Sequence, residues 1–187
     1  MIRRRANAVN FLKTNKGAWV SDRAVIGGNF VSHFTELFSN SAPPIEDELL
    51  SLFAPVVSAE DNSFLCALPF EEEVVQALSS LGSTKAPSLD GFTALFYKKY
   101  WSTVKCNVLA CIRDFFQNNH LLQEQNHTHV TLIPKKLGSH SVHHFRPISL
   151  CNIVYKIITK ILANRLKIML PKIISPLHST FVPSRNI

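Results

Sequence analysis

Acidic side chains nearly vanish from the second half of this sequence: after Gly91 only Asp114 and Glu124 remain, ten positions apart. Two carboxylates so placed supply neither an acid–base pair nor a metal-binding set, and the clusters Glu46-Asp47-Glu48 and Glu71-Glu72-Glu73 read as surface or helix-start charge. Cysteine is scarce as well. Cys66, Cys106, Cys111 and Cys151 include no C-x-x-C pair, which argues against a disulfide framework or a zinc knuckle and leaves buried, reduced thiols as the expectation. With six glycines there is no phosphate-cradling or dinucleotide-binding glycine pattern, and no G-x-S-x-G nucleophile turn. No apolar run approaches the roughly 20 residues of a membrane span, and Met1–Asn7 leads into no apolar signal core, so an intracellular address, nuclear or cytoplasmic, is expected.

What is present is apolar mass and positive charge. At 46% hydrophobic with 13 Phe in 187 residues, the chain can bury one sizeable core, or one core and an appendage. The net charge of +7 is unevenly spread: 7 basic against 11 acidic residues up to Asp90, then 13 against 2. A single-sign field of that density attracts polyanions, of which nucleic acid is the commonest inside cells.

Local patterns predict mostly helix with short extended pieces. Ala8–Leu12 and Ala18–Val20 flank a turn containing Asn15 and Gly17, which predicts a small hairpin. Val25, Ile26, Phe30, Phe34, Leu37 and Phe38 recur at helical spacing between Asp22 and Ser39, with Gly27-Gly28 a weak point. Asn40–Pro44 reads as a linker, and the acidic stretch up to Pro69 is expected to hold only a short helix near Glu46–Phe53. Glu71–Glu73 open a helix that Gly82 stops. Two helices follow, over Phe92–Trp101 and Thr103–Asn118. Val130–Ile133 predicts a strand ended by Pro134, Gly138–His144 a turn, and Phe145–Ile148 the returning strand of a hairpin with a basic, histidine-bearing tip. The clearest helix spans Asn152–Met169, with Val154, Ile158, Ile161, Leu162, Leu166 and Met169 as its apolar stripe and Lys156, Lys160, Asn164 and Lys167 opposite.

Several segments then match one family in order. Lys85-Ala86-Pro87-Ser88-Leu89-Asp90-Gly91-Phe92 resembles the K-A-P-G-P-D-G-F signature of LINE-type (non-LTR) reverse transcriptases, especially plant ones. Tyr97-Lys98-Lys99-Tyr100-Trp101 resembles the aromatic helix after it. Leu132-Ile133-Pro134-Lys135-Lys136 and Phe145-Arg146-Pro147-Ile148-Ser149-Leu150-Cys151-Asn152 resemble the two finger motifs. Tyr155-Lys156-Ile157, Ile161–Leu166 and Phe181-Val182-Pro183-Ser184-Arg185 continue the series, the last similar to F-V-P-G-R. Arg3–Phe38 looks like the connector between endonuclease and polymerase. Ser88, Leu89 and Ser184 depart from the family's Gly, Pro and Gly, which puts the geometry of those loops in doubt.

The resemblance implies an α+β, mostly helical fold: the fingers and start of the palm of a right-hand polymerase, with residues 1–69 as connector and 70–187 as the first part of the polymerase domain. It implies that a paired lysine (Lys135 or Lys136) and Arg146 contact the phosphates of an incoming deoxynucleoside triphosphate, the fork of Arg146 matching phosphate bidentately. It further implies that Lys85, Asp90, Gly91, Lys156, Lys160 and Arg185 lie along the RNA template and DNA primer. The family's magnesium is held by aspartates in motifs beyond F-V-P-G-R. No residue of this chain is therefore expected to ligate magnesium or to be catalytic, and the expected function is a reverse-transcriptase fragment inactive alone. The alternative is a non-catalytic, basic nucleic-acid-binding module of retroelement origin. His127, His129, His140, His143 and His144 lack the Cys or carboxylate partners of a metal site, and fit better as loop histidines near phosphate.

Overall fold

A computed structural model describes residues 8–14, 17–39, 52, 54–175, 177 and 182. The linker at Asn40–Pro44 lies outside these residues, as do the expected helix near Glu46–Phe53 apart from Leu52, and Phe181–Arg185 apart from Val182. The backbone divides into two compact units that interleave along the chain: Met1–Asp47 with Val130–Ser149, and Glu48–His129 with Leu150–Ile187.

In the first unit, Leu12–Lys13 (β1) and Trp19–Val20 (β2) pair antiparallel with Leu12 opposite Val20, as the hairpin pattern predicts. Gly17 turns the chain at φ +84°, where a side chain would be strained. Helix α1, Arg23–Phe38, starts because the carboxylate of Asp22 accepts the N–H of Val25 at 2.9 Å. It runs unbroken through Gly27-Gly28: Ile26 and Phe30 on its buried face supply the packing that outweighs two poor helix formers. His129–Pro134 (β3) and Phe145–Leu150 (β4) form the second two-stranded sheet, joined through a 3₁₀ turn at Val142–His144. Leu12, Ile26, Phe30, Val142 and Phe145 make the core, with the ring of Phe30 edge-on to Phe145 at 5.1 Å. The Lys13 N–H donates to the carbonyl of His140 at 2.6 Å and ties one hairpin to the loop of the other.

The second unit is helical. Ala59–Cys66 (α2) is a helix where an irregular stretch was expected. It begins with a reciprocal cap in which Ser58 Oγ accepts the N–H of Asp61 while the Asp61 carboxylate accepts the N–H of Ser58. Glu71–Ser80 (α3), Ala94–Lys99 (α4), Trp101–Asn118 (α5) and the single turn Gln123–Asn126 (α6) precede the long helix α7, Ile153–Ile173. Asn119 ends α5 in the left-handed conformation, φ 52°, which asparagine tolerates better than most residues. Asn152 caps α7 by accepting the N–H of Tyr155, and its amide donates to the carbonyl of Gln125, fixing α6 to the helix start.

Helix α7 packs against α2, α3, α5 and α6 and closes a core of Val74, Ala77, Leu78, Val108, Ile112, Ile157 and Ile161, among others. Its buried stripe differs from the predicted one. Ile153, Ile157, Ile158, Ile161, Arg165 and Met169 point inward, whereas Leu166 is exposed and Val154 and Leu162 are half-buried. The buried face is shifted by about one residue from the predicted one and includes Arg165. Cys66 and Cys106 are exposed and Cys111 and Cys151 half-buried, so the expectation of four buried thiols is corrected: α2 and α5 present their outer faces at positions 66 and 106.

Candidate functional site

Alternation along β4 sets the first part of the site. Phe145 points into the core, so Arg146 must point out, and Pro147 restrains the backbone directly after it. The guanidinium of Arg146 is exposed and, among the described residues, has no hydrogen bond or ion pair. On the other strand, Pro134 ends β3 and delivers Lys135. The Lys135 backbone N–H donates to the carbonyl of His144 and its ammonium to the carbonyl of His143, both at 2.8 Å. An ammonium has three donors, and the anchor uses one. Ser139 Oγ donates to Lys136 O at 2.7 Å and lies 3.3 Å from His144 O, which fixes the tip between the strands.

Lys135 and Arg146 line one cavity of about 350 Å³ with His33, Phe34, His143 and Phe145. The two predicted phosphate ligands are therefore brought together, on an aromatic floor. Lys136 is separated from them, lining a smaller hollow of about 180 Å³ beside Leu137 and Ser139. His33 comes from α1 and was not singled out in the sequence; its imidazole meets that of His143 edge-to-face at 4.6 Å. No local pattern marks it, since tertiary packing, including Phe30 on Phe145, carries α1 to the hairpin.

The histidines of the tip are not equivalent. His140 Nδ1 lies 2.7 Å from Gly138 O and its ring sits 5.2 Å from Trp19. His144 is half-buried with Nδ1 lacking a partner among the described residues. Its basicity is held below the usual histidine value, first by burial and then by the positive field of Lys136, His140, His143 and Lys135.

In the second unit, the residues matched to template and primer occupy two places. The Ser88–Gly91 segment is a turn closed by the Gly91 N–H on Ser88 O at 3.1 Å, and the Asp90 carboxylate accepts the N–H of Phe92 at 3.0 Å. Gly91 has φ +74°, whereas Ser88 stays out of the left-handed region, so a serine in place of the family's glycine leaves this turn intact. Lys85 is exposed, its stem lying where a Cβ on Gly82 would approach it to 3.0 Å. Lys156 and Lys160 are half-buried on α7 and Lys167 is exposed. Arg185 lies outside the described residues.

Cations of the motifs also serve structure. The Lys98 ammonium donates to Ser79 O at 2.9 Å, Leu81 O at 2.6 Å and Ser83 Oγ at 3.2 Å, closing the negative end of α3. Arg165, 4% exposed, grips Glu73 with two bonds of 2.8 Å, donates to Leu65 O and Ala67 O, and lies over the Phe116 ring at 5.0 Å. Glu73 is thus more than helix-start charge, and so is Glu71, which accepts from Trp101 Nε1 at 3.3 Å and from Lys105 at 3.4 Å. Among the described residues no three His, Cys, Asp or Glu side chains converge as metal ligands. Nor, among them, is any helix long and apolar enough to cross a membrane.

No family model matches this chain. Over 180 residues, 96% of its length, it is 30% identical to the Transposon TX1 uncharacterized 149 kDa protein of Xenopus laevis, and it spans 14% of that protein. A transposon-encoded protein is therefore a relative of nearly the whole chain.

Proposed function

We propose that this chain is the fingers-side segment of a LINE-type reverse transcriptase, of the plant kind by its motifs, and that its role is to hold the phosphates of nucleotide and nucleic acid rather than to make the phosphodiester bond. One observation carries the reading: Arg146 and Lys135 line a single cavity, with Arg146 free of internal partners among the described residues. A guanidinium offers a planar fork to two phosphate oxygens, and the anchored ammonium beside it presents its two remaining donors. An exposed, unpaired arginine next to a second cation is available to an anion. The order of the family's motifs along the chain and the transposon-encoded relative support the same reading.

Magnesium, which complete enzymes of the family use, finds no fitting ligand set among the described residues. Asp61, Glu71 and Glu73 are engaged by Lys172, Lys105 and Arg165, and Asp114 by Asn118 and His120. Template, primer and deoxynucleoside triphosphate are the proposed ligands.

The test is salt-titrated binding of a labelled single-stranded oligothymidylate to the purified chain. Log affinity should fall linearly with log salt, by roughly 0.7 for each phosphate contact, and R146E should flatten the line. Binding that ignores salt and the charge reversal would sink the proposal. Reversing Lys156, Lys160 and Lys167 separates the alternative of a general basic binder: a larger loss there than at Arg146 favours that alternative.

A further inference from the structure

The Arg146 cavity contains two side chains whose charge depends on pH near neutrality. His33 and His143 line it from different elements, with their rings 4.6 Å apart, and Lys135 and Arg146 line it with them. The backbone carbonyl of His143 accepts from the Lys135 ammonium, which holds that cation close to the His143 backbone. His33 is fixed in turn by the helical register of Phe30 and Phe34, which pack on the hairpin core. Neither imidazole forms a hydrogen bond or an ion pair among the described residues. Two unengaged imidazoles beside two cations suit a ligand that carries several negative charges.

We infer that His33 and His143 are further phosphate ligands of the Lys135–Arg146 cavity, so that its affinity for phosphate anions rises as pH falls through the histidine range. The inference rests on the phosphate-binding reading given above and adds a proton to it. A neutral imidazole offers an anion at most one N–H donor, and a protonated one offers two donors and a positive charge. A phosphate bound there adds negative charge beside both rings, which favours the protonated form.

The surrounding charges fit this assignment. From α1, Glu36 lies one turn beyond His33, and both line an adjoining hollow that Val142 also reaches. From the hairpin come Lys135 and Arg146, and from its tip Lys136, His140 and His144. Glu36 is the one acidic group in this set, so the cavity presents mostly positive charge to an anion. His144 is excluded from the ligand role because it is half-buried and is not part of the cavity wall.

The experiment uses the full chain and two probes, an oligothymidylate and thymidine triphosphate, whose bases do not titrate between pH 5.5 and 8. The phosphodiesters of the oligothymidylate keep their charge over the same range. Wild-type affinity for the oligothymidylate should rise about tenfold from pH 8 to pH 6, the scale of a charge-assisted hydrogen bond. The rise should be mostly lost in H33Q/H143Q. A larger wild-type-to-variant difference for the triphosphate marks a nucleotide site, and a larger one for the oligomer marks a strand backbone; either supports the inference. A second measurement needs no variant: on adding oligothymidylate, the NMR titration midpoints of His33 and His143 should move up by linkage. Binding that depends on Arg146 but leaves both midpoints unmoved overturns this inference alone. Failure of both probes to bind at pH 6 overturns the phosphate reading with it.

Discussion

Arg165 and Glu73, 92 residues apart in sequence, meet through two parallel bonds of 2.8 Å in the interior of the helical unit, with the arginine 4% exposed. The same guanidinium collects the carbonyls of Leu65 and Ala67, where α2 ends, so one side chain of α7 joins α2 and α3. Removing the cation leaves a partly buried carboxylate and two carbonyls without their donor. Arg165→Ala should therefore lower stability by about 3–5 kcal/mol, the usual cost of breaking a buried pair. Urea unfolding measures it, and a loss below about 1 kcal/mol would show that water replaces the arginine.

Lys98 acts on the same unit through charge at a helix end. Its ammonium satisfies carbonyls that α3 leaves open, and Lys98→Met keeps the stem while removing the donors. A loss of about 1–2 kcal/mol is expected. Lys99→Met is the control: that side chain is exposed over the Tyr100 ring at 5.6 Å and should change stability little. Equal effects at both positions would remove the capping role.

His144 makes stability depend on pH. Its basicity is lowered in the fold, first by burial and then by Lys136 and its neighbours, so the unfolded chain takes up the proton more readily. The associated stability is complete above the unfolded histidine value of about 6.5 and is lost as pH falls below it. Thermal unfolding of wild type and His144→Phe should therefore diverge between pH 7 and 5, with the wild type losing more on acidification. Parallel curves would contradict the burial of this ring.

Much of the fold is legible locally. The periodicity of α1, α3, α5 and α7, the stop near Gly82 and both hairpins follow from spacing and turn chemistry that a short window contains. The helix at Ala59–Cys66 is not legible in the sequence although Ser58 and Asp61 stand at capping-box spacing, because no apolar stripe accompanies them and none of its residues is buried. The true stripe of α7 was hidden for the opposite reason. Arg165 reads as a surface cation until Glu73 and the end of α2 surround it, and that neighbourhood is tertiary. The candidate site divides in the same way. Motif order marks Lys135 and Arg146, whereas His33 joins them only through packing between α1 and the hairpin.

The central claim is that the Lys135–Arg146 cavity holds phosphate, and the most direct measurement compares oligothymidylate affinity at fixed salt for wild type, Arg146→Ala and Lys156→Ala. Arg146→Ala should weaken binding at least about tenfold, the worth of one charge-assisted contact, and Lys156→Ala by a few-fold at most. Unchanged affinity in Arg146→Ala, in a chain that unfolds like the wild type, would contradict it.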